Sequence, residues 1–295
     1  MTLSPRFGED AGVQPVDTSP ALERRRAIAE RVAVAYRANP HVAGVLLAGS
    51  VARRLADELS DIEIDVYWTQ PPTDWERRAA VEGAGWTRVY DEVDEHEWAD
   101  GYVIDGIKVD TGGFLTSTIE GYLDAALEQA DTEQELQVRI TALLHGQPLH
   151  GHELIGAWRD RCTAYPEPLA LAMVSQGLEL RPRERLEMLV ARDDLFLLHR
   201  DLVDNVQGVL DALFGINRVF VPHPFHKWLA WEASLLEKKP EDLVGRIRRL
   251  LVAPPAEAME LVCALAEDTF DLAERHVPAY DVATARAEFE FRRAT

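Results

Sequence analysis

Two acidic side chains, Asp61 and Glu63, have the spacing of a metal site. They lie in the segment DIEIDVYW (61–68), where acidic and apolar residues alternate. Alternation with a period of two indicates a β-strand with one buried face, so both carboxylates project from the other face. Clustered carboxylates need cationic compensation, and Mg²⁺ binds through carboxylates, water and substrate phosphates. We therefore predict that Asp61 and Glu63 bind Mg²⁺.

A glycine–serine pair, Gly49-Ser50, precedes these acids along the chain. It follows the apolar segment HVAGVLLAG (41–49), which predicts a buried strand, and a short helix is expected to begin there. Glycine lets the backbone approach a ligand closely, and helix N-terminal amides with a serine hydroxyl favour an anion. A phosphate cradle beside a metal site is the equipment for in-line displacement at phosphorus.

A third acid, Asp110, lies on a later predicted strand, GIKVDTGGFL (106–115). Ile107 and Val109 occupy its apolar face, so Lys108 and Asp110 share the opposite face. We therefore predict that Asp110 joins the other two acids at the site.

These segments resemble the nucleotidyltransferase superfamily that includes DNA polymerase β and the aminoglycoside nucleotidyltransferases. The shared pattern is a Gly-Ser turn followed by Asp-x-Asp or Asp-x-Glu on the next strand. The form Ser60-Asp61-Ile62-Glu63 is most similar to the kanamycin nucleotidyltransferases. The likeness covers 42–115 and is only architectural beyond. It implies that Gly49, Ser50 and Arg53 hold the triphosphate while the acids bind Mg²⁺.

The chain departs from this family pattern in two respects. Asp65 adds an acid to the strand face at a position where an apolar residue is commoner. The kanamycin enzymes take their general base, a glutamate, from the helical half, and no equivalent is evident here. We predict Asp110 as third metal ligand or general base, with Asp193 and Asp194 as alternatives for the base.

The elements that position these residues form an α/β part and an all-helical part. Residues 20–38 and 74–84 have helical patterns, and 86–91 and 98–104 add two strand candidates. We predict a flexible segment 1–19, a nucleotidyltransferase domain with a mixed sheet over 20–116, and a helical domain over 117–295. The active cleft is expected between them. The clearest helix runs from 184 to 214, with an apolar face formed by Leu195, Leu198, Leu202, Val206, Val209 and Leu213.

Two further segments carry polar residues that could bind ligands. The segment 214–228 (FGINRVFVPHPFHKW) follows the long helix, and we predict that Asn217 and Lys227 help bind the base or the triphosphate. A plain loop is the alternative there. His145, His150 and His152 are interpreted as residues of a polar surface loop in preference to a metal site.

The composition excludes some partners. Lys and Arg number 31 against 51 Asp and Glu, giving a net charge of −20 and a pI near 4.8. Because polyanion binding depends on basic residues, no long nucleic acid is expected. No segment is apolar enough to predict a membrane span, and two widely separated cysteines suit a reducing compartment. We expect a cytoplasmic protein.

The predicted reaction moves a nucleoside monophosphate from an NTP, ATP for preference, to a hydroxyl of a small acceptor, with Mg²⁺ and release of pyrophosphate. An aminoglycoside-like or other natural-product acceptor suits the acidic chain. An aminoglycoside acceptor would make this an antibiotic-resistance enzyme. The alternatives are nucleotidylation of RNA or protein, and a non-catalytic nucleotide- or partner-binding relative such as a toxin–antitoxin component. The sequence leaves open whether the protein forms a homodimer.

Overall fold

A computed structural model describes residues 19–82, 84–94 and 97–293. The segment 1–19, predicted to be flexible, lies outside these residues apart from Ser19. Gly83, near which the predicted helix over 74–84 is expected to close, also lies outside them.

Contacts divide the described residues into two compact units that interleave along the chain. The first holds the residues up to Leu123 together with Arg139–Thr163, and the second holds Asp124–Val138 together with the residues from Ala164 onward. A division in chain order near residue 116 stays a prediction.

The first unit contains a six-stranded mixed sheet. Its strands are β1 (Val42–Leu47), β2 (Ile62–Trp68), β3 (Thr87–Val93), β4 (Glu97–Ile104), β5 (Ile107–Leu115) and β6 (Gln147–His150). Their order is β3-β4-β5-β2-β1-β6, with β2 and β5 parallel and the other neighbours antiparallel. The predicted α/β fold with a mixed sheet is therefore confirmed. The sequence did not predict β6, because its four residues are too few for a periodic pattern to be recognised.

Helices precede, separate or follow the strands along the chain. They are α1 (Pro20–Tyr36), α2 (Gly49–Ala52), α3 (Asp74–Glu82), α4 (Thr116–Glu128), α5 (Gln134–His145) and α6 (His152–Arg161). Ser19 caps α1 by accepting a hydrogen bond from the Leu22 backbone N–H at 3.1 Å. The apolar side of α1 joins the even-numbered side chains of β2 in one core, where Tyr36 meets Trp68 edge to face at 6.2 Å. The odd-numbered side chains of β2 lie on the opposite face.

The second unit is helical, as predicted for the C-terminal region. It contains α7 (Glu167–Gly177), α8 (Arg183–Ala191), α9 (Leu195–Asn217), α10 (Leu229–Ser234), α11 (Leu243–Leu250), α12 (Pro255–His276) and α13 (Val282–Phe289). Among the described residues, none of the helices combines the length and apolarity that a membrane crossing requires.

The single helix predicted from 184 to 214 is wrong. It is divided into α8 and α9, because Asp193 adopts a left-handed backbone with φ 54° and interrupts the helical path. The predicted apolar face is otherwise correct: its members from Leu198 to Leu213 are buried within α9. Leu195, at the start of α9, is 40% exposed.

Candidate active site on the sheet face

Four residues form a row across one face of the sheet. Strand register places Tyr90 of β3 opposite Gly101 of β4, Gly101 opposite Asp110 of β5, and Asp110 beside Glu63 of β2. Because directly paired residues project to the same face, the side chains of Tyr90, Asp110 and Glu63 lie on one surface. The parallel pairing of β2 and β5 therefore makes Glu63 and Asp110 immediate neighbours.

The Gly49 turn lies directly against Glu63. The backbone N–H of Ala48 donates to the Glu63 carbonyl at 2.9 Å, and Gly49 follows with a left-handed φ of +61°. A Cβ atom at position 49 would lie 2.5 Å from Glu63 Cδ and closer still to Oε2. Position 49 thus needs glycine for its backbone conformation, and a side chain there would force the flexible Glu63 side chain to move.

The Asp110 carboxylate is held by two donors. The Tyr90 hydroxyl donates to Oδ1 at 2.7 Å, and the Lys108 ammonium donates to Oδ2 at 2.8 Å. Tyr90 reaches Asp110 by passing over Gly101, where a Cβ atom would lie 2.8 Å from Tyr90 Cζ and closer still to two other ring carbons. The lack of a side chain at Gly101 therefore lets Tyr90 of β3 reach the face of the sheet that carries Asp61, Glu63 and Asp110, the acid face.

Lys108 brings positive charge to all three predicted metal ligands. Its hydrogen bond to Asp110 raises the pKa of the Lys108 ammonium, burial opposes this, and the charges of Asp110, Asp61 and Glu63 add to the rise. Its Nζ also lies 5.5 Å from the centroid of the Tyr90 ring. The ammonium thus neutralises part of the carboxylate charge.

Burial increases along the acid face of β2. Asp61 and Glu63 are partly buried, whereas Asp65 is only 5% exposed. Burial raises the pKa of Asp65, and the Arg139 guanidinium, 3.7 Å from Oδ1, opposes the rise. Arg139 also packs 4.4 Å from the Phe114 ring. Asp65 is therefore a buried partner of Arg139, which accounts for an acid where the resembled family has an apolar residue.

Ser50 and Arg53 follow Gly49 in α2. Ser50 is partly buried, and its carbonyl accepts from the Leu55 backbone N–H at 2.8 Å. Arg53 forms the C-terminal cap of α2. Desolvation lowers the pKa of His145, and the charges of Arg53 and Arg159 lower it further, so Arg53 lies within electrostatic range of that histidine.

The predicted residues of the C-terminal half belong to the second unit. The Asn217 amide donates to the carbonyls of Leu213 at 2.8 Å and Lys238 at 2.7 Å, and its oxygen accepts from the Lys238 backbone N–H. Asn217 therefore ties the end of α9 to a later segment. Lys227 is exposed, as are Asp193 and Asp194 at the start of α9.

A buried acid–histidine–acid cluster in the second unit was not predicted. His226 Nε2 lies 3.2 Å from Asp211 Oδ1, and His226 Nδ1 lies 3.0 Å from Glu232 Oε2. Its ring stacks on Phe214 at 5.7 Å. Burial opposes the charged form, but the hydrogen bonds to both acids raise the pKa of His226 to about 9. The histidine segment was recognisable in the sequence, whereas its partners on α9 and α10 were not.

The carboxylates of this face can be compared with the ligands that Mg²⁺ prefers. Within 19–82, 84–94 and 97–293, no three His, Cys, Asp or Glu side chains are arranged to hold a metal ion. Proteins usually bind Mg²⁺ through one or two carboxylates together with water and substrate phosphates. Asp61 and Glu63 fit that smaller set, since both carry carboxylate oxygens on one face of β2 and Glu63 lies against the Gly49 turn. His145, His150 and His152 end α5, lie in β6 and begin α6, respectively.

Comparison with known proteins gives a partial family match and a distant likeness to solved structures. Residues 134–229 match a family model described as a domain of unknown function, DUF4037. No curated protein matches the chain. Among solved structures, the chain is similar to a nucleotidyltransferase-like protein from Exiguobacterium sibiricum 255-15. The two are 12% identical, with 88% of this chain and 80% of that chain covered and a TM-score of 0.41.

Proposed function

We propose that this chain is a Mg²⁺-dependent nucleotidyltransferase that moves a nucleoside monophosphate from an NTP, ATP for preference, to a hydroxyl of a small acceptor. One arrangement carries the proposal. The Glu63 carboxylate packs against the Gly49 turn and is the register neighbour of Asp110 on a parallel strand. An anion-binding turn and two carboxylates on one patch of sheet suit a metal-bound triphosphate.

In the proposed reaction the acceptor oxygen bonds to the α-phosphorus. The bond from that phosphorus to the oxygen bridging the β-phosphate breaks, and pyrophosphate leaves with the electron pair. Bound Mg²⁺ would supply electrophilic stabilisation of the phosphate charge. Gly49, Ser50 and Arg53 would hold the triphosphate. The acceptor proton would pass to Asp110, or to Asp193 or Asp194 of the second unit.

The acceptor class follows from charge and from the resemblance to kanamycin nucleotidyltransferases. A net charge of −20 favours a cationic acceptor over a polyanion. An aminoglycoside-like or other hydroxylated natural product is the leading class, and transfer to RNA or a protein side chain is the alternative. Lys227 would contribute to base or triphosphate binding, whereas the amide group of Asn217 is already engaged by Leu213 and Lys238.

A second candidate is a nucleotide- or partner-binding protein without turnover. The observation that favours it is the state of Asp110, since both of its oxygens already accept hydrogen bonds from Tyr90 and Lys108. An acid that keeps both contacts is less available to bind metal or to take a proton. Such a protein would bind NTP with Mg²⁺ and release no pyrophosphate.

The deciding experiment is pyrophosphate release from each of the four NTPs with Mg²⁺, screened over hydroxylated small molecules including aminoglycosides. Acceptor-dependent release with one preferred NTP, lost in Asp61→Asn, is the expected result. Calorimetric NTP binding without release for any acceptor would favour the non-catalytic candidate. If the protein binds no NTP and releases no pyrophosphate, both candidate functions are rejected.

A further inference from the structure

Lys108 is the only lysine among the first 226 residues, and it lies within the acid face. Its strand neighbours Ile107 and Val109 are buried in the core, so the pleat of β5 directs Lys108 to the face that holds Asp110. Cationic side chains elsewhere in this half of the chain are all arginines. A residue type that is rare in this chain therefore lies at the centre of the candidate site.

The ammonium is close to the carboxylates that would bind metal. Nζ lies 2.8 Å from Asp110 Oδ2, and the charges of Asp61 and Glu63 also act on it. A divalent cation placed among these oxygens would meet an ammonium already bonded to one of them. Like charges at such separations repel, most strongly where solvent is excluded. The ammonium and a bound metal would therefore be two cations drawn to the same group of carboxylates.

The Lys108 side chain is also able to move away from Asp110. Its side chain is 50% exposed, whereas that of Asp110 is 25% exposed. A lysine carries a compact charge on a flexible stem, whereas arginine would hold a carboxylate through a rigid, two-pronged contact. The contact between Lys108 and Asp110 can therefore open without rearranging the core.

We propose that Lys108 is an internal counter-ion of Asp61, Glu63 and Asp110 that keeps the affinity for a free divalent cation low, so that metal binds effectively only together with a triphosphate. This inference rests on the proposed function. The physical reason is that a metal alone is repelled by the ammonium and gains only carboxylate ligands. A metal–triphosphate complex brings further oxygen ligands and negative charge, which offset the loss of the lysine contact.

The test measures metal binding without turnover. Mn²⁺ is titrated into wild type, Lys108→Gln, Lys108→Arg and Lys239→Gln, and free Mn²⁺ is followed by electron paramagnetic resonance. Lys239 is an exposed lysine of the second unit, so its variant controls for the change in net charge. Each titration is repeated with a non-hydrolysable α,β-methylene triphosphate.

Lys108→Gln should bind Mn²⁺ alone about tenfold more tightly than wild type, within the range expected when a neighbour of a metal ligand is changed. Lys108→Arg and Lys239→Gln should not bind it more tightly. The ratio between Mn²⁺ affinities with and without triphosphate should therefore shrink in Lys108→Gln alone. An unchanged ratio in Lys108→Gln would overturn the counter-ion role, and so would an equal change in Lys239→Gln.

Failure of the proposed function has a different signature. If Asp61→Asn and Glu63→Gln leave Mn²⁺ binding unchanged with the triphosphate present, the metal is bound elsewhere, and both proposals fall. If those variants lose Mn²⁺ while Lys108→Gln behaves as wild type, the metal site stands and only the counter-ion role is overturned.

Discussion

The Glu63 carboxylate takes the space that a side chain at position 49 would need: a Cβ atom built on Gly49 lies 2.5 Å from Glu63 Cδ. The turn and the acid are therefore fitted to each other, so a side chain at position 49 would require Glu63 to move. Because Gly49 also has φ +61°, a substitution there combines backbone strain with a steric conflict.

Gly49→Ala should destabilise the fold by about 1–3 kcal/mol, mostly from backbone strain and in smaller part because the flexible Glu63 side chain must move. Gly106→Ala is the matched control, since Gly106 has φ +79° with nothing within 4 Å of a Cβ atom. Its cost should be about 1–2 kcal/mol from the backbone alone. Urea unfolding measures both. Glu63→Ala removes the carboxylate and should bring the cost of Gly49→Ala down to that of Gly106→Ala. If Gly49→Ala and Gly106→Ala cost the same in the wild-type background, Glu63 does not constrain position 49.

Gly101→Ala should separate Tyr90 from Asp110. The added methyl group meets the Tyr90 ring, so the ring must move, at a cost of about 1–3 kcal/mol. In a Tyr90→Ala background the same substitution should cost much less, because the obstructing ring is gone. A double-mutant cycle by chemical unfolding measures this coupling, and additive effects would show that Tyr90 does not depend on the gap.

Asp61→Asn and Glu63→Gln should each lower turnover on the order of a hundredfold or more, because a metal ligand is lost. Apo stability should hold or rise, since carboxylate repulsion is relieved. Glu58→Gln removes an exposed acid from the turn before β2 and should be silent. Initial rates of pyrophosphate release with thermal unfolding of each variant check this, and near wild-type rates would remove the pair from the site.

Asp110→Asn should lower kcat by about a hundred- to ten-thousandfold if Asp110 is the general base, with less effect on NTP binding. If the second unit supplies the base, Asp193→Asn or Asp194→Asn should show the larger loss. Rates at saturating NTP compare the three variants directly. Full activity in Asp110→Asn would exclude it as base and as essential ligand.

Protein stability should fall as the pH rises from about 6.5 to 9. The pKa of His226 is about 9 in the folded state against an ordinary value of 6.5, so its contribution is complete below pH 6.5 and is lost on passing the folded pKa. The full contribution is up to about 3 kcal/mol. Chemical unfolding across this pH range measures it. Asp211→Asn should move the loss to lower pH, and a flat profile in wild type would contradict the charged His226.

Several features of the site were accessible from the sequence because they are local. Alternation along 61–68 places Asp61 and Glu63 on one face, and alternation along 106–115 gives Asp110 its orientation. The strands and the helical C-terminal region followed from the same periodicities, whereas the mixed sheet was what the family resemblance implied. A period of two or of 3.6 depends only on neighbouring residues, which is why it survives in a single sequence.

The tertiary structure decided which of these residues meet. Strand order and register, which the local pattern does not specify, set Glu63 beside Asp110 and carry Tyr90 over Gly101. The break at Asp193 was equally hidden, because an apolar face can continue across a change of direction. Contacts between distant segments depend on how whole elements pack, so the acid face and the His226 cluster appear only when the chain is folded.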